Sequence, residues 1–279
     1  WRAHGERQIY LSSLFSQPLG RGPAVTCSAL IPDMDHFRGS YGAKAVIPLY
    51  RDAAAREANV LPGLLELLGK TYRCKVAAED FAAYVYGILA HPAFAARFAA
   101  QLETRQLRVP ITKDAELFAK VRGAGAHLLW LHTYGERFVP KGRPAGHVPP
   151  GTARCVKPVP GGAGGYPESF EYREAARALR VGEGEFAPVE PAVFEFEVSG
   201  LKVVQSWLKY RMKRGGGKKS STLDGIRPEE WSGEFTTELL ELLWVLEATL
   251  KEYPEQRDLL NAVVQGSCFR AEELPAVPG

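Results

Sequence analysis

Apolar residues recur at every third or fourth position between residues 61 and 134, the spacing that places side chains on one face of a helix. The pattern predicts helices over residues 61–72, 78–90 and 92–102, and a longer helical region over residues 114–134. His91-Pro92 separates the second helix from the third, because proline lacks an N–H donor and disfavours the helical conformation in the residue before it. Gly123 and Gly125 predict a break within the fourth region.

Short apolar runs bounded by turn residues predict strands elsewhere. They cover residues 24–30, 45–50, 154–158, 170–172, 178–181 and 193–198, and the last run alternates like a half-exposed strand. A helix follows over residues 201–210, and two more cover residues 235–264, split near Tyr253-Pro254. Together these elements predict an α+β fold, in which a mixed, mostly antiparallel sheet packs with a helical bundle and a helical C-terminal tail.

The composition is that of a globular protein, since 46% of the 279 residues are hydrophobic. No window approaches 18 consecutive uncharged apolar residues, so we expect no membrane span. The four cysteines lie far apart without a CxxC pair, which disfavours a zinc site and fits the reducing cytoplasm. The first residues are not a signal peptide and do not start with Met, so we expect a fragment of a longer cytoplasmic chain.

Charge is distributed unevenly along the chain. Residues 223–279 carry twelve acidic and four basic side chains, a net charge of −8, whereas the whole chain is +3 and residues 1–222 therefore carry +11. We predict a basic α+β body over residues 1–222 and an acidic helical tail over residues 223–279 packed on the same core. An anionic partner is expected on the basic part.

The densest group of cations follows an apolar segment that begins at Val198. Six cations and no acid lie between residues 209 and 219: Lys209, Arg211, Lys213, Arg214, Lys218 and Lys219. Such a segment suits contact with a polyanion, because lysine and arginine neutralise phosphates. The alternative is a solvated loop that only keeps the protein in solution.

Catalytic signatures are missing from the sequence. There is no GxSxG, HExxH or CxxC, and GGGKKSS lacks the first glycine of a phosphate-binding loop. The one polar cluster that suits a hard divalent cation is Asp33, Asp35 and His36. The same residues also fit a turn. A third interpretation is that His36 and the nearby Arg38 address a base edge or a phosphate.

Several segments occur in the order typical of a known family: GPAVTCSALIPDMDHFRGSYG, IPLYRD, EDFAAYVYGILAHPAFAARF, LRVPIT, HLLWLHTYGERF, FEFEVSGLKVVQSWLKYR and the helical tail. Together they resemble the C-terminal specificity region of type ISP restriction-modification enzymes, from about residue 22 to residue 264. Those enzymes are long single chains that join a nuclease and helicase, or an adenine methyltransferase alone, to a target recognition domain. None of the matching segments is a catalytic motif.

The resemblance implies a domain that reads double-stranded DNA and presents a target adenine to an upstream methyltransferase domain of the same parent chain. That domain would bind S-adenosylmethionine and flip the base out of the duplex. The parent is then an adenine-specific DNA methyltransferase used in phage defence, with or without restriction activity. The methyltransferase motifs are missing here, so we expect no cofactor, no metal site and no catalysis from this fragment alone.

We therefore predict a sequence-specific module for duplex DNA. The cations of residues 209–219 are expected on phosphates, whereas base reading is expected from two loops, one with His36 and Arg38 and one with Lys141 and Arg143. Two rival functions remain. The first is a protein-interaction or scaffold module that docks through its apolar helices and acidic tail. The second is a metal-dependent phosphodiesterase that uses the Asp33, Asp35 and His36 cluster.

Overall fold

The computed structural model describes residues 2–14, 22–32, 44–103, 107–212 and 230–276, which divide into two compact units. The first unit contains Trp1–His147, Glu197–Leu201 and Lys251–Gly279, and the second contains Val148–Phe196 and Lys202–Leu250. These limits follow the packing of the chain and not its charge. The predicted division into a basic body and an acidic tail at residue 222 therefore stays a prediction.

The first unit combines a small sheet with most of the helices. Its strands are β1 (Tyr10–Leu14), β2 (Thr26–Ser28) and β3 (Lys44–Pro48), and its first five helices are α1 (Leu64–Tyr72), α2 (Ala78–Leu89), α3 (Pro92–Arg97), α4 (Ala99–Leu102) and α5 (Ala115–His132). The sheet has the order β2-β1-β3 with antiparallel pairing on both sides of β1, so that Leu11 faces both Cys27 and Ile47. The strands predicted near residues 24–30 and 45–50 are confirmed as shorter segments.

Helices α2 and α5 pack closely at the centre of the first unit. A Cβ at Gly125 would overlap the carbonyl oxygen of Ala83, and a Cβ at Gly87 would crowd the carbonyl oxygen of Val121. The predicted break at Gly123 and Gly125 is wrong, because α5 runs unbroken through both. Gly125 serves close approach between two helices, and that packing outweighs its low helix propensity of about 1 kcal/mol.

Aromatic side chains fill the core next to this helix pair. Phe118 stacks between Tyr72 and Tyr84, with ring centres 4.5 and 4.8 Å apart. The hydroxyl of Tyr84 donates to the Pro110 carbonyl at 2.8 Å and accepts from the N–H of Thr112 at 3.1 Å. The segment before α5 is thus tied to α2 through a buried hydroxyl whose donor and acceptor are both used.

The second unit is built on a four-stranded antiparallel sheet of order β4-β7-β6-β5. Its elements are β4 (Arg154–Lys157), β5 (Phe170–Arg173), β6 (Ala178–Val181), β7 (Gly184–Ala187), α6 (Pro191–Phe194) and α7 (Val203–Arg211). Along the chain, two short strands, β8 (Glu197–Val198) and β9 (Leu201–Lys202), lie between α6 and α7, and β8 belongs to the first unit. The predicted strand over residues 193–198 is wrong except at its end, because Pro191 begins a helical turn there. The sequence did not predict β7.

The last helix, α8 (Gly233–Gln265), belongs to the second unit up to Leu250 and to the first unit from Lys251. The predicted split at Tyr253-Pro254 is wrong, because α8 continues through the proline. In the first unit the helix is held by hydrogen bonds from His91 Nε2 to the Tyr253 carbonyl at 2.9 Å and from Gln256 Nε2 to the Gly87 carbonyl at 3.3 Å. This tertiary support offsets the roughly 3 kcal/mol that an interior proline costs a helix. The α+β prediction with mostly antiparallel sheets is confirmed.

Candidate nucleic-acid interface

Part of the predicted interface lies outside the described residues. This applies to the base-reading candidates His36 and Arg38, to the phosphate-binding candidates Lys213, Arg214, Lys218 and Lys219, and to the alternative metal ligands Asp33 and Asp35. Their roles stay predictions. The structure describes Lys141 and Arg143 in the first unit and Lys209 and Arg211 in the second.

Lys141 and Arg143 lie at the tip of a loop that follows α5. The loop is closed at its neck, where the Gly146 N–H donates to the Gly135 carbonyl at 3.0 Å. Position 135 requires glycine, because its φ is +81° and a Cβ there would overlap the backbone of His147. At the tip, the Arg143 N–H donates to the carbonyl three residues earlier at 3.0 Å and closes a turn. The closed neck and the turn keep the side chains of Lys141 and Arg143 exposed to solvent.

Arg143 packs above the indole ring of Trp130, with its guanidinium carbon 5.2 Å from the ring centre. Trp130 is buried in α5, whereas Arg143 is exposed. A guanidinium that stacks on a ring uses one of its faces and keeps its N–H donors free in the plane. The only acid between residues 134 and 147 is Glu136, and it contacts Arg137 at 3.7 Å. Arg143 therefore presents planar donors from a supported position.

Lys209 and Arg211 lie in the last turn of α7, but their surroundings differ. Lys209 is exposed. The side chain of Arg211 is only 27% exposed, its guanidinium carbon lies 3.8 Å from the Trp207 ring centre, and its Nη2 donates to Glu238 at 2.8 Å. Of the two, Lys209 is the one that can meet a phosphate without giving up an existing partner.

Part of a second basic stretch was missed by the sequence analysis, which named only Lys141 and Arg143 within it. Residues 137–167 contain five lysine or arginine residues and no acid. Besides the loop cations, the stretch places Arg154 and Lys157 on β4, both exposed. The guanidinium carbon of Arg154 lies 5.9 Å from the Trp244 ring centre, and Lys157 approaches Glu183 at 3.8 Å in an exposed contact of little energy. A search for long acid-free stretches would have found these residues.

A buried carboxylate fixes the chain just before β4. Glu247 of α8 is 6% exposed and accepts from the backbone N–H groups of Thr152 at 2.6 Å and Ala153 at 3.1 Å. One turn earlier, Trp244 Nε1 donates to the Ala153 carbonyl at 2.8 Å. A carboxylate that accepts two backbone donors in the interior holds a loop firmly. The start of β4, and with it Arg154, is therefore anchored on α8.

Cys27 and His132 of the first unit both contact Tyr86, but they do not form a nucleophile pair. Tyr86 lies between them, since its hydroxyl shares a 2.6 Å hydrogen bond with Nδ1 of His132 and also contacts the Cys27 thiol. Burial raises the pKa of Cys27 to about 12 and lowers the pKa of His132 to about 4. Both groups are neutral near pH 7, and an unreactive thiol of this kind is structural.

The profile of the type ISP C-terminal specificity domain matches residues 1–242. The chain belongs to this family. No match was found among curated proteins.

Three solved structures are similar in fold to this specificity domain. A cryo-EM structure of a DrdV–DNA complex is 16% identical with a TM-score of 0.63, over 98% of this chain and 25% of that chain. The DNA-bound ATP-dependent type ISP restriction-modification enzyme LlaBIII is 15% identical with a TM-score of 0.61, over 97% and 16%. A nuclease-deletion mutant of the type ISP enzyme LlaGI with a DNA substrate mimic is 17% identical with a TM-score of 0.55, over 91% and 18%. The specificity domain thus spans a quarter or less of each.

Carboxylates in the acidic C-terminal region of the chain have internal partners in both units. In the second unit Glu238 pairs with Arg211 and Glu247 binds the chain before β4; in the first unit Glu252 lies 3.6 Å from His127, and Glu273 pairs with Lys113. These four carboxylates therefore act within the fold, where they connect the C-terminal region to earlier parts of the chain.

Over the ranges that the structure describes, no group of three or more His, Cys, Asp or Glu side chains could hold a metal ion. The Asp33, Asp35 and His36 cluster lies outside those ranges and is not tested. Among the described helices, none is both long enough and apolar enough to cross a membrane.

Proposed function

We propose that the chain is the sequence-specific, double-stranded DNA recognition module of a restriction-modification enzyme. The observation that carries this proposal is the match to a specificity-domain family over residues 1–242. The three similar structures support it, because each was solved with DNA or a DNA substrate mimic. The exposed cations of the described loop and helix end supply the chemistry that such a partner requires.

Affinity and sequence choice are assigned to different cations. Lysine is a flexible point charge that suits phosphate, so Lys141 and Lys209 are proposed on the DNA backbone. The supported, planar guanidinium of Arg143 suits the two acceptors on a guanine edge, and it is proposed as a base reader. From the sequence alone, His36 and Arg38 are added as base readers and Lys213, Arg214, Lys218 and Lys219 as phosphate contacts.

The remaining chemistry is assigned to the parent enzyme. We propose that an upstream methyltransferase domain of the same parent chain binds S-adenosylmethionine and modifies adenine, and that the parent acts in the cytoplasm. The chain described here lacks the motifs for that cofactor. Isothermal titration of this chain with S-adenosylmethionine should give no binding heat, and a micromolar affinity would contradict this assignment.

DNA binding is tested by fluorescence anisotropy with a labelled duplex over a series of salt concentrations. If roughly five phosphates are neutralised, log K should fall with log salt at a slope of about −4 to −5. A slope near zero would refute a DNA-binding function and favour a protein-interaction module.

A matched pair of double variants tests whether DNA affinity depends on the position of the cations or only on the net charge. Lys141→Ala with Arg143→Ala removes two charges from the loop tip, whereas Lys70→Ala with Lys120→Ala removes two exposed charges outside the acid-free stretch. The loop variant should lose more than tenfold in affinity, about 1.4 kcal/mol for each tenfold step. The control should lose clearly less, and equal losses would mean that only net charge matters.

A further inference from the structure

Arg211 is enclosed by aromatic rings at the end of α7. Its guanidinium carbon lies 3.8 Å from the ring centre of Trp207 and 5.3 Å from that of Phe235. Trp231 extends the cluster, with edge-to-face contacts to both rings at 6.0 and 5.5 Å between centres. A cation stacked on aromatic faces away from water is held more strongly than an exposed one.

The donors of Arg211 are directed into the second unit. Nη2 donates to the Glu238 carboxylate on α8 at 2.8 Å, and Nη1 lies 3.5 Å from the Trp207 carbonyl. The backbone of the same residue is fixed as well, because its carbonyl accepts from the Tyr166 hydroxyl at 2.6 Å. Side chain and backbone together tie the last turn of α7 to α8 and to the segment before β5.

The charge of Arg211 is therefore already compensated inside the fold. A phosphate at this guanidinium would also lie next to the Glu238 carboxylate, whose negative charge would oppose it. Lys209, two residues earlier in the same turn, is exposed and has no such enclosure. The cations at residues 213–219 follow Met212 directly in the sequence.

We propose that Arg211 is a positioning residue for DNA binding, which fixes the last turn of α7 so that Lys209 meets the DNA backbone, and that it makes no phosphate contact of its own. This proposal rests on the proposed DNA-binding function. It gives Arg211 a role different from the phosphate contact that its charge alone predicted.

The direction in which one substitution changes DNA affinity separates the two roles. Glu238→Gln removes a negative charge next to the basic helix end, so a purely electrostatic effect would strengthen DNA binding. If Arg211 positions Lys209, the loss of its carboxylate partner should instead weaken binding several-fold, with the wild-type salt slope retained. Tyr166→Phe tests the same idea without any change of charge, and it should also weaken binding at an unchanged slope.

Variants of Arg211 and Lys209 test whether each residue contacts a phosphate, because a lost phosphate contact changes the salt slope. Lys209→Ala should make the salt slope shallower by about 0.9, the value for one lost phosphate contact. Arg211→Ala should lower affinity without changing the slope, and Arg211→Lys should not restore it, because an ammonium cannot stack and pair as a guanidinium does. Thermal unfolding of every variant checks that the fold persists, and Glu238→Gln and Tyr166→Phe decide the question if Arg211→Ala does not fold.

Two results would overturn the proposal. One is tighter DNA binding by Glu238→Gln, and the other is a shallower slope for Arg211→Ala equal to that for Lys209→Ala. If the unmodified chain shows no salt-dependent binding, the DNA-binding function itself fails and the role of Arg211 falls with it. Measuring salt-dependent DNA binding by the unmodified chain therefore distinguishes failure of the DNA-binding function from failure of the Arg211 proposal.

Discussion

Replacement of His91 by Asn should change how the stability of the protein depends on pH. His91 is 4% exposed, its Nδ1 accepts from the Ala93 N–H at 2.9 Å, and its Nε2 donates to the Tyr253 carbonyl at 2.9 Å. This arrangement requires the neutral imidazole, since a proton on Nδ1 would remove the acceptor that caps α3. Asparagine at the same position keeps a side-chain oxygen for the cap and does not titrate.

The magnitude follows from proton linkage. Burial lowers the pKa of His91 from 6.5 to about 4. Between these values the unfolded chain binds a proton that the folded chain does not, so the contribution of His91 is complete above pH 6.5 and is lost as the pH falls toward 4. Between pH 7 and pH 5 the free energy of unfolding should fall by about 2 kcal/mol through this group alone.

The assay compares urea unfolding of the unmodified chain and of His91→Asn at several pH values between 7 and 5. Near pH 7 the variant should be less stable by about 1 kcal/mol, because the Tyr253 carbonyl loses its donor. The difference between the two proteins should shrink and then reverse toward pH 5, while other titrating groups, including His132, cancel in the comparison. Stability curves that stay parallel over this range would refute the argument.

Two further predictions concern packing and buried charge. Gly125→Ala should destabilise the protein by roughly 1–3 kcal/mol, because the added Cβ overlaps α2. Gly123→Ala in the same helix, where the space is open, should stabilise it by about 0.5–1 kcal/mol. Thermal unfolding of both variants checks this, and equal shifts in the melting temperature would contradict the packing of α5. Glu247→Gln should cost about 1–3 kcal/mol, because the amide turns an N–H group toward one of two backbone donors. Glu255→Gln, at an exposed position of α8, is its control in denaturant unfolding and should change little.

Helices were predicted well because their apolar spacing survives in the packed structure. The predicted interruption at His91-Pro92 is confirmed, whereas those at Gly125 and Pro254 are wrong. Gly125 and Pro254 were interpreted from local propensity, which is worth about 1 and 3 kcal/mol for the two residue types. Tertiary contacts outweigh both: Gly125 allows a close approach to α2, and the helix around Pro254 is held by His91 and Gln256. Neither contact is local in sequence, so no window around these residues could reveal it.

The short strands show the same limit. Alternation over residues 193–198 predicted a strand, yet Pro191 starts a helical turn and leaves only Glu197–Val198 extended. Strand β7, Gly184–Ala187, has only four residues and depends on its pairing with β4 and β6 for its identity. Strand preference reflects such neighbours more than the sequence of the strand itself.

At the candidate interface, the sequence identified cations but not their partners. Lys209 and Arg211 are two residues apart and equal in charge, yet only the structure shows that Arg211 is enclosed by Trp207 and paired with Glu238. Arg143 was selected for its planar donors, and its support by Trp130 was not visible in the sequence. The sequence shows which residues are charged, whereas only the folded structure shows which of these charges are free to bind a partner.

The central claim, that this domain reads DNA sequence, is tested most directly by selection from a duplex library with a randomised central region. The chain is mixed with the library near physiological ionic strength, where non-specific phosphate binding is weakened, and the bound duplexes are recovered and sequenced. Enrichment of a single sequence motif is predicted, and Arg143→Ala should relax the preference at one or two positions of that motif. A bound pool with the same base composition at every position as the starting library would contradict sequence-specific recognition.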